Sequence, residues 1–196
     1  MEDILIATNN KGKVAEFKSL LADLPLTLKS LADYKLIKEV AETGKTFAEN
    51  AEIKAKSYAL QTNCRTIADD SGLQVDALDN APGVFSARFA GATATDVENN
   101  EKLLNALTAR KNRKARFVCV IAVSDANGKI IHRAGGICRG GISLQAAGNN
   151  GFGYDPVFIP EGFEKTFGEL SGEIKKKISH RAKATRKILN FLQENS

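Results

Sequence analysis

The chain has 196 residues, 43% of them hydrophobic and 26% charged, which is enough for one domain with a substantial core and too apolar for a disordered tail. Its longest apolar run, Phe117 to Val123, falls far short of the roughly 20 residues that a membrane-spanning helix needs. Three scattered cysteines without metal-ligand spacing (Cys64, Cys119 and Cys138) and an opening Met1-Glu2-Asp3 without a basic leader predict a reduced, cytoplasmic setting. The net charge of +5 and pI of about 9.1 admit a nucleic-acid binder, a pocket for a small polyanion, or a solvated basic surface. The basic excess lies mostly from Lys175 to Lys187, with a smaller cluster at Arg110 to Arg116. Neither cluster is interleaved with aromatic residues, so no single-strand stacking platform is indicated.

In chain order, Asp3 to Ala7 is a short apolar run that predicts a buried strand. The polar loop Thr8 to Lys13 follows, and Val14, Phe17, Leu20 and Leu21 then recur at helical spacing. Glu42-Thr43-Gly44 is a loop before a second helix, whose start is marked by the capping-box pair Thr46 and Glu49. Phe47, Ala51, Ala55, Tyr58 and Ala59 form its apolar stripe. Arg65 to Ala68 reads as a strand that runs into Asp69-Asp70-Ser71-Gly72, where a turn is expected. Thr95 and Glu98 open a third helix through Leu103, Leu104 and Leu107. Two strands, Phe117 to Ser124 and Lys129 to Ala134, flank the hairpin signal Asn127-Gly128. A last helix carries Ile178, Ala182, Ile188, Leu189 and Leu192. This alternation followed by a hairpin predicts a mixed α/β sheet. With no repeat or Pro-rich linker, residues 1–196 read as a single domain.

Four segments carry candidate chemistry. Asp69 and Asp70 at a strand end are either a solvated acidic turn or a site for a hard cation such as Mg²⁺, which takes one or two carboxylates and keeps several waters. Adjacent strand residues point to opposite sides, so both serve one metal only if the chain turns there. Thr8 to Lys13 is either an ordinary connection or a phosphate cradle, with two lysines and the N–H groups of the next helix's first turn. It lacks the Walker A spacing. Gly148 to Pro156 is either a surface loop tethered by aromatics or a nucleobase platform, with Phe152 and Tyr154 for stacking and Asp155 as an acceptor. Lys175 and Ser179-His180-Arg181 flank the start of the last helix, where cations oppose the dipole and an anion would relieve the arrangement.

Taken in order, Ala7-Thr8-Asn9-Asn10-Lys11-Gly12-Lys13, Glu42-Thr43-Gly44 with Phe47 to Ala51, Ala68 to Leu73, Ala81 to Gly91, Gly151 to Pro156 and Ser179-His180-Arg181 resemble the inosine triphosphate pyrophosphatase family, over nearly the whole chain. The resemblance implies an α/β fold with an elongated mixed central sheet flanked by helices, in two lobes with a nucleotide cleft between them. It implies a homodimer that hydrolyses ITP, dITP and XTP to the monophosphate and pyrophosphate with Mg²⁺, with no membrane and no stable nucleic-acid partner. Carried over by residue, Thr8, Asn9, Asn10, Lys11, Gly12 and Lys13 hold the triphosphate, and Lys54 adds a phosphate contact. Glu42 and Asp70 bind metal with Asp69 beside them, Asp70 is the general base, and Ser71 contacts substrate. Phe152, Gly153, Tyr154, Asp155, Lys175, His180 and Arg181 recognise base and sugar. The first motif more often reads Thr-Gly-Asn or Ser-Gly-Asn; at Asn9 a left-handed φ is the one backbone demand that Asn meets better than other non-Gly residues.

The same residues admit two other readings. The related septum-inhibition nucleotide pyrophosphatases act on modified pyrimidines, but their N-terminal Ser-x-Arg-Arg run is missing. A basic, non-catalytic nucleic-acid-binding protein is motivated by the pI, and the acidic cluster opposes it by repelling a phosphate backbone.

Overall fold

The computed structural model describes residues 2–22 and 25–194; Met1 of the N-terminal segment lies outside them. The strands are β1 (Glu2–Ile6), β2 (Leu26–Ser30), β3 (Arg65–Val75), β4 (Lys114–Ser124), β5 (Ile130–Ile142) and β6 (Phe158–Pro160). The helices are α1 (Lys11–Leu20), α2 (Phe47–Thr62), α3 (Asp96–Ala106), α4 (Gly172–Ile178) and α5 (His180–Glu194). The strand order is β2-β1-β3-β4-β5-β6. β1 runs parallel to β2 and β3, and β5 antiparallel to β6. The expected mixed α/β sheet is therefore present. Among the described residues, no helix is long and apolar enough to cross a membrane.

The chain divides into two compact units. The first takes residues up to Asp70, Cys119–Gly136 and the segment from Arg181; the second takes Ser71–Val118 and Ile137–His180. In the first unit β1 and the start of β3 are buried on both faces. Ile4, Ile6 and Ile67 pack with Phe17 and Leu21 of the α1 segment and Ala184, Ile188 and Leu192 of α5. The alternate residues Leu5, Ala7 and Ala68 pack with Ala51, Ala55 and Tyr58 of α2. The two-residue strand period thus sorts one apolar run into two cores. In the second unit Leu73, Val75, Leu103, Phe117, Val157, Phe158 and Phe167 form a single core.

Local signals set the helix ends. Thr46 Oγ1 accepts from the Glu49 N–H while the Glu49 carboxylate accepts from the Thr46 N–H, each at 3.2 Å. Thr95 and Glu98 make the same reciprocal cap on α3. The last helix is broken in two because Ser179 adopts an extended backbone, φ −65° and ψ 158°.

Two expectations are corrected. The chain does not turn at Ser71-Gly72: β3 runs on to Val75, anchored by the fully buried Leu73 and Val75, and packing overrides the turn propensity of the dipeptide. The strand after Asn127-Gly128 also extends well past Ala134, because Gly140 to Ile142 find partners in β6.

Thr46→Ala removes the acceptor for one free N–H at the start of α2, the helix that carries Asn50 and Lys54. The expected loss is about 1 kcal/mol of unfolding free energy, read from urea denaturation; an unchanged midpoint would show that the cap contributes nothing.

Candidate active site

Because β3 stays extended, Asp69 and Asp70 leave it on opposite faces. Both are buried, yet they meet different partners and acquire different chemistry.

Asp69 lies on the α1 and α5 side. Its Oδ2 accepts from Lys13 Nζ at 3.0 Å and from Arg181 Nη2 and Nε at 3.1 and 3.4 Å. Arg181 also bonds Glu16 of α1 through Nη1, and Cys119 Sγ lies 3.8 Å from Asp69 Oδ2. Burial alone would raise the Asp69 pKa, but Lys13, Arg181 and Lys54 outweigh it and hold the carboxyl far below its usual range. Burial works against the Arg181 charge, and the Asp69 and Glu16 carboxylates more than reverse that. Asp69 is therefore a fixed anion that ties α1 to α5 through Lys13 and Arg181.

Asp70 lies on the α2 side. Its Oδ2 accepts from Asn50 Nδ2 at 3.0 Å, and Asn50 Oδ1 accepts from the Gly44 N–H at 2.7 Å. Glu42, two residues before Gly44, is ion-paired with Lys54. Burial pushes the Asp70 pKa up and the neighbouring Glu42 charge adds to this, against the opposing pull of Lys54, Lys13 and the Asn50 hydrogen bond. Lys54 is held charged, its burial outweighed by Asp69, Asp70 and Glu42. A carboxylate poised above its ordinary pKa is suited to accept a proton, and one locked far below it is not.

The Thr8 to Lys13 loop is shaped by its own side chains. Asn10 is the N-cap of α1, its Oδ1 accepting from the Lys13 N–H at 3.1 Å, and Thr8 Oγ1 accepts from the Asn10 N–H at 3.2 Å. Among the described residues the non-glycine positions with positive φ are Asn63, Asp79 and Asn80, so Asn9 makes no left-handed demand. Lys11 and Gly12 follow in the first turn of α1, where backbone N–H groups favour anions.

The second unit gathers the aromatic and basic candidates. Asp155 accepts from the Phe152 N–H at 2.8 Å and from Lys175 Nζ, and that ammonium sits 4.5 Å from the Phe152 ring centroid. Gly151 is confined to glycine, since φ is +77° and an added Cβ would lie 1.9 Å from Asp155 Oδ2. Tyr154 is buried and its hydroxyl donates to the Ser86 carbonyl at 2.8 Å. His180 is buried and stacked on Phe117, 4.7 Å between centroids. Ser71 follows directly on Asp70 in β3.

Two placements depart from the sequence expectation. Arg181 belongs to the ion-pair network of Asp69 and Glu16, while Lys175 is held by Asp155 and Phe152. Asp69 is bonded to Lys13 and Arg181 whereas Asp70 is bonded to Asn50, and among the described residues no group of three or more His, Cys, Asp or Glu side chains is placed to hold a metal ion. Glu42 lies close enough to Asp70 for its charge to raise the Asp70 pKa, and two neighbouring carboxylates are the kind of donor set from which a hard cation such as Mg²⁺ takes one or two ligands while keeping its waters. Asn50 and Glu16 were missed in the sequence. Asn50 and Lys54, spaced four apart on the apolar stripe of α2, were the available signal: polar residues on a buried face need partners.

The Asp69 network predicts a pH-dependent stability. A depressed carboxyl pKa stabilises the fold fully above the unfolded value of ~3.9, and that contribution is lost progressively as the pH falls from there towards the folded pKa. Asp69→Asn is expected to lower the unfolding free energy at pH 7 by about 3–5 kcal/mol, since it takes the buried counter-charge from Lys13 and one of the two carboxylates from Arg181. The gap to wild type should narrow below pH ~4 in urea titrations. Equal stability at pH 7 would refute the assignment.

The Ham1 family profile matches residues 4–191. A dITP/XTP pyrophosphatase of Bacillus anthracis is 49% identical over 99% of this chain and 98% of its own length. One from Listeria monocytogenes serotype 4b is 47% identical over 99% and 96%. Among solved structures, a HAM1 protein from Coxiella burnetii superposes with a TM-score of 0.90 at 40% identity, covering 99% of this chain and all of that one. The Staphylococcus aureus Ham1 protein gives 0.88 at 41% identity, covering both chains fully. Matched from its first strand to its last helix, the chain belongs to the Ham1 family.

Proposed function

We propose that this protein hydrolyses noncanonical purine nucleoside triphosphates (ITP, dITP and XTP) to the monophosphate and pyrophosphate, removing them from the nucleotide pool. The observation that carries the reading is the split of Asp69 and Asp70 across β3, which pairs a fixed anion with a carboxylate poised to take a proton. The full-length relatives named as dITP/XTP pyrophosphatases support the substrate class. The nucleic-acid-binding alternative has no such support.

In this reading the triphosphate meets the Thr8 to Lys13 loop and the first turn of α1, with Lys13 and Lys54 as counter-charges. Glu42 and Asp70 would hold Mg²⁺, which when bound supplies charge neutralisation to the phosphate oxygens. Asp70 accepts a proton from water as its oxygen attacks the α-phosphorus. The bond from that phosphorus to the bridging oxygen breaks, and pyrophosphate leaves with its charge offset by Lys13 and Lys54. Asp69 takes no proton; it holds Lys13 in place. Phe152 offers a ring face to the base, and Asp155 and Lys175 offer an acceptor and a donor. A donor that meets a 6-keto oxygen would face the 6-amino group of adenine, and an unmet buried group costs about 1–3 kcal/mol. The proposal keeps the homodimeric assembly and the cytoplasmic location that the resemblance implies.

Incubation with ITP, XTP, ATP and GTP, with and without Mg²⁺, is expected to give monophosphate and pyrophosphate only with the metal, and ITP should exceed ATP in kcat/KM by roughly ten- to a hundredfold. Release of inorganic phosphate would overturn the bond assignment. Asp70→Asn should abolish turnover while leaving stability at pH 7 equal to or above wild type. Its pKa is raised by burial, so the ionised form opposes folding above that pKa, and the amide removes this opposition while its Oδ1 still accepts from Asn50. Retained turnover would remove Asp70 from the base role.

A further inference from the structure

We propose that Asp96 and Asn100 of α3 are positioning residues for base selection, acting through the backbone of Gly153; this rests on the assignment of Phe152 to Asp155 as the base-recognition segment. Asp96 Oδ2 accepts from the Gly153 N–H at 2.7 Å, and Asn100 Nδ2 donates to the Gly153 carbonyl at 2.9 Å. Both backbone polar groups of one residue are thus taken by side chains one helical turn apart on the same helix. Gly153 lies in the left-handed region, φ +62°, so its two peptide planes are set by these bonds and by no regular ladder.

The residue so held is the link between the groups that would read a base. Phe152 precedes it, and Tyr154 and Asp155 follow. The Phe152 N–H returns to Asp155 Oδ2 at 2.8 Å, and Lys175 bridges Asp155 and the Phe152 ring. A rotation of either Gly153 peptide plane moves the ring and the carboxylate relative to each other. The Tyr154 hydroxyl, bound to the Ser86 carbonyl, anchors the residue that follows Gly153, and the α3 side chains hold Gly153 itself.

Asn100 carries a second sign of this role. It is buried, and its Oδ1 has no hydrogen-bond partner among the described residues. A buried acceptor left unmet opposes folding, so this asparagine is accounted for by the bond at its other end. Its neighbour Asn99 uses both ends of its amide on the loop before α3, at the Ala90 N–H and the Ala87 carbonyl, which shows what a purely structural asparagine does in this helix.

The test compares kcat and KM for ITP and ATP in wild type, Asp96→Ala, Asp96→Asn and Asn100→Asp, with melting temperatures alongside. Asp96 is exposed, so its variants are expected to fold. Asp96→Ala should raise KM for ITP about fivefold or more and shrink the ITP-to-ATP ratio of kcat/KM by a similar factor, with kcat for ITP within about twofold of wild type. Asp96→Asn keeps an acceptor for the Gly153 N–H and should restore both values. Asn100→Asp, which sets a carboxylate against the Gly153 carbonyl, should reproduce the Asp96→Ala pattern; if it does not fold, the two Asp96 variants decide. Selectivity that survives Asp96→Ala, or an Asp96→Asn variant as impaired as the alanine, overturns the inference and leaves the proposed function standing. A wild-type enzyme without preference for ITP overturns the base-recognition reading and this inference together.

Discussion

The candidate site depends on one constraint, the alternation of side chains along an extended strand. Asp69 and Asp70 are chemically identical neighbours. β3 sends one toward Lys13 and Arg181 and the other toward Asn50, Lys54 and Glu42. A turn at this point would have placed both carboxylates in one environment, where the charge of each opposes ionisation of the other. Extension separates them, and the surroundings then push their pKa values in opposite directions. Division of labour between two carboxylates is a general route to acid–base chemistry near neutral pH, and here the backbone conformation creates it.

The flanking helices are arranged to hold that difference. On one side, α1 brings Lys13 and Glu16, and α5 brings Arg181, so a fully buried carboxylate keeps its charge because cations surround it. On the other side, α2 enters through the reciprocal Thr46–Glu49 cap and presents Asn50 and Lys54 four residues apart. Asn50 then joins the Gly44 backbone to Asp70, which fixes the loop carrying Glu42. Lys13, Asn50, Lys54 and Arg181 each meet a carboxylate on a neighbouring element, and that pairing makes burial of so many charges tolerable.

The second unit uses a different device. Its candidate recognition segment is an irregular loop whose shape comes from side-chain bonds to the backbone: Asp155 to the Phe152 N–H, Tyr154 to the Ser86 carbonyl, and the α3 residues to Gly153. Such a loop can keep a defined geometry without a strand ladder, because its backbone groups are satisfied locally. The same reliance explains why buried Asn99 and Asn100 occur on a helix whose apolar stripe alone would have predicted leucine or alanine.

Much of this was legible in the chain itself. Local chemistry wrote the helix starts at Thr46 and Thr95, the hairpin signal at Asn127-Gly128 and the apolar strand into Asp69, since capping and turn preferences act over three or four residues. The ordered motifs also carry the family resemblance and the candidate site residues. What neighbouring residues cannot encode was left to tertiary structure. Ser71-Gly72 has turn propensity, and only the burial of Leu73 and Val75 shows that the strand continues. Asp69 and Asp70 read as one acidic pair, and only packing on both faces of β3 reveals that they hold different partners. Arg181 read as a base contact beside Lys175, and only the fold gives it to Asp69 and Glu16, residues more than a hundred positions away. Sequence determined which groups were available; the three-dimensional pairing of charges, set by long-range contacts, decided which of them is an anchor and which can move a proton.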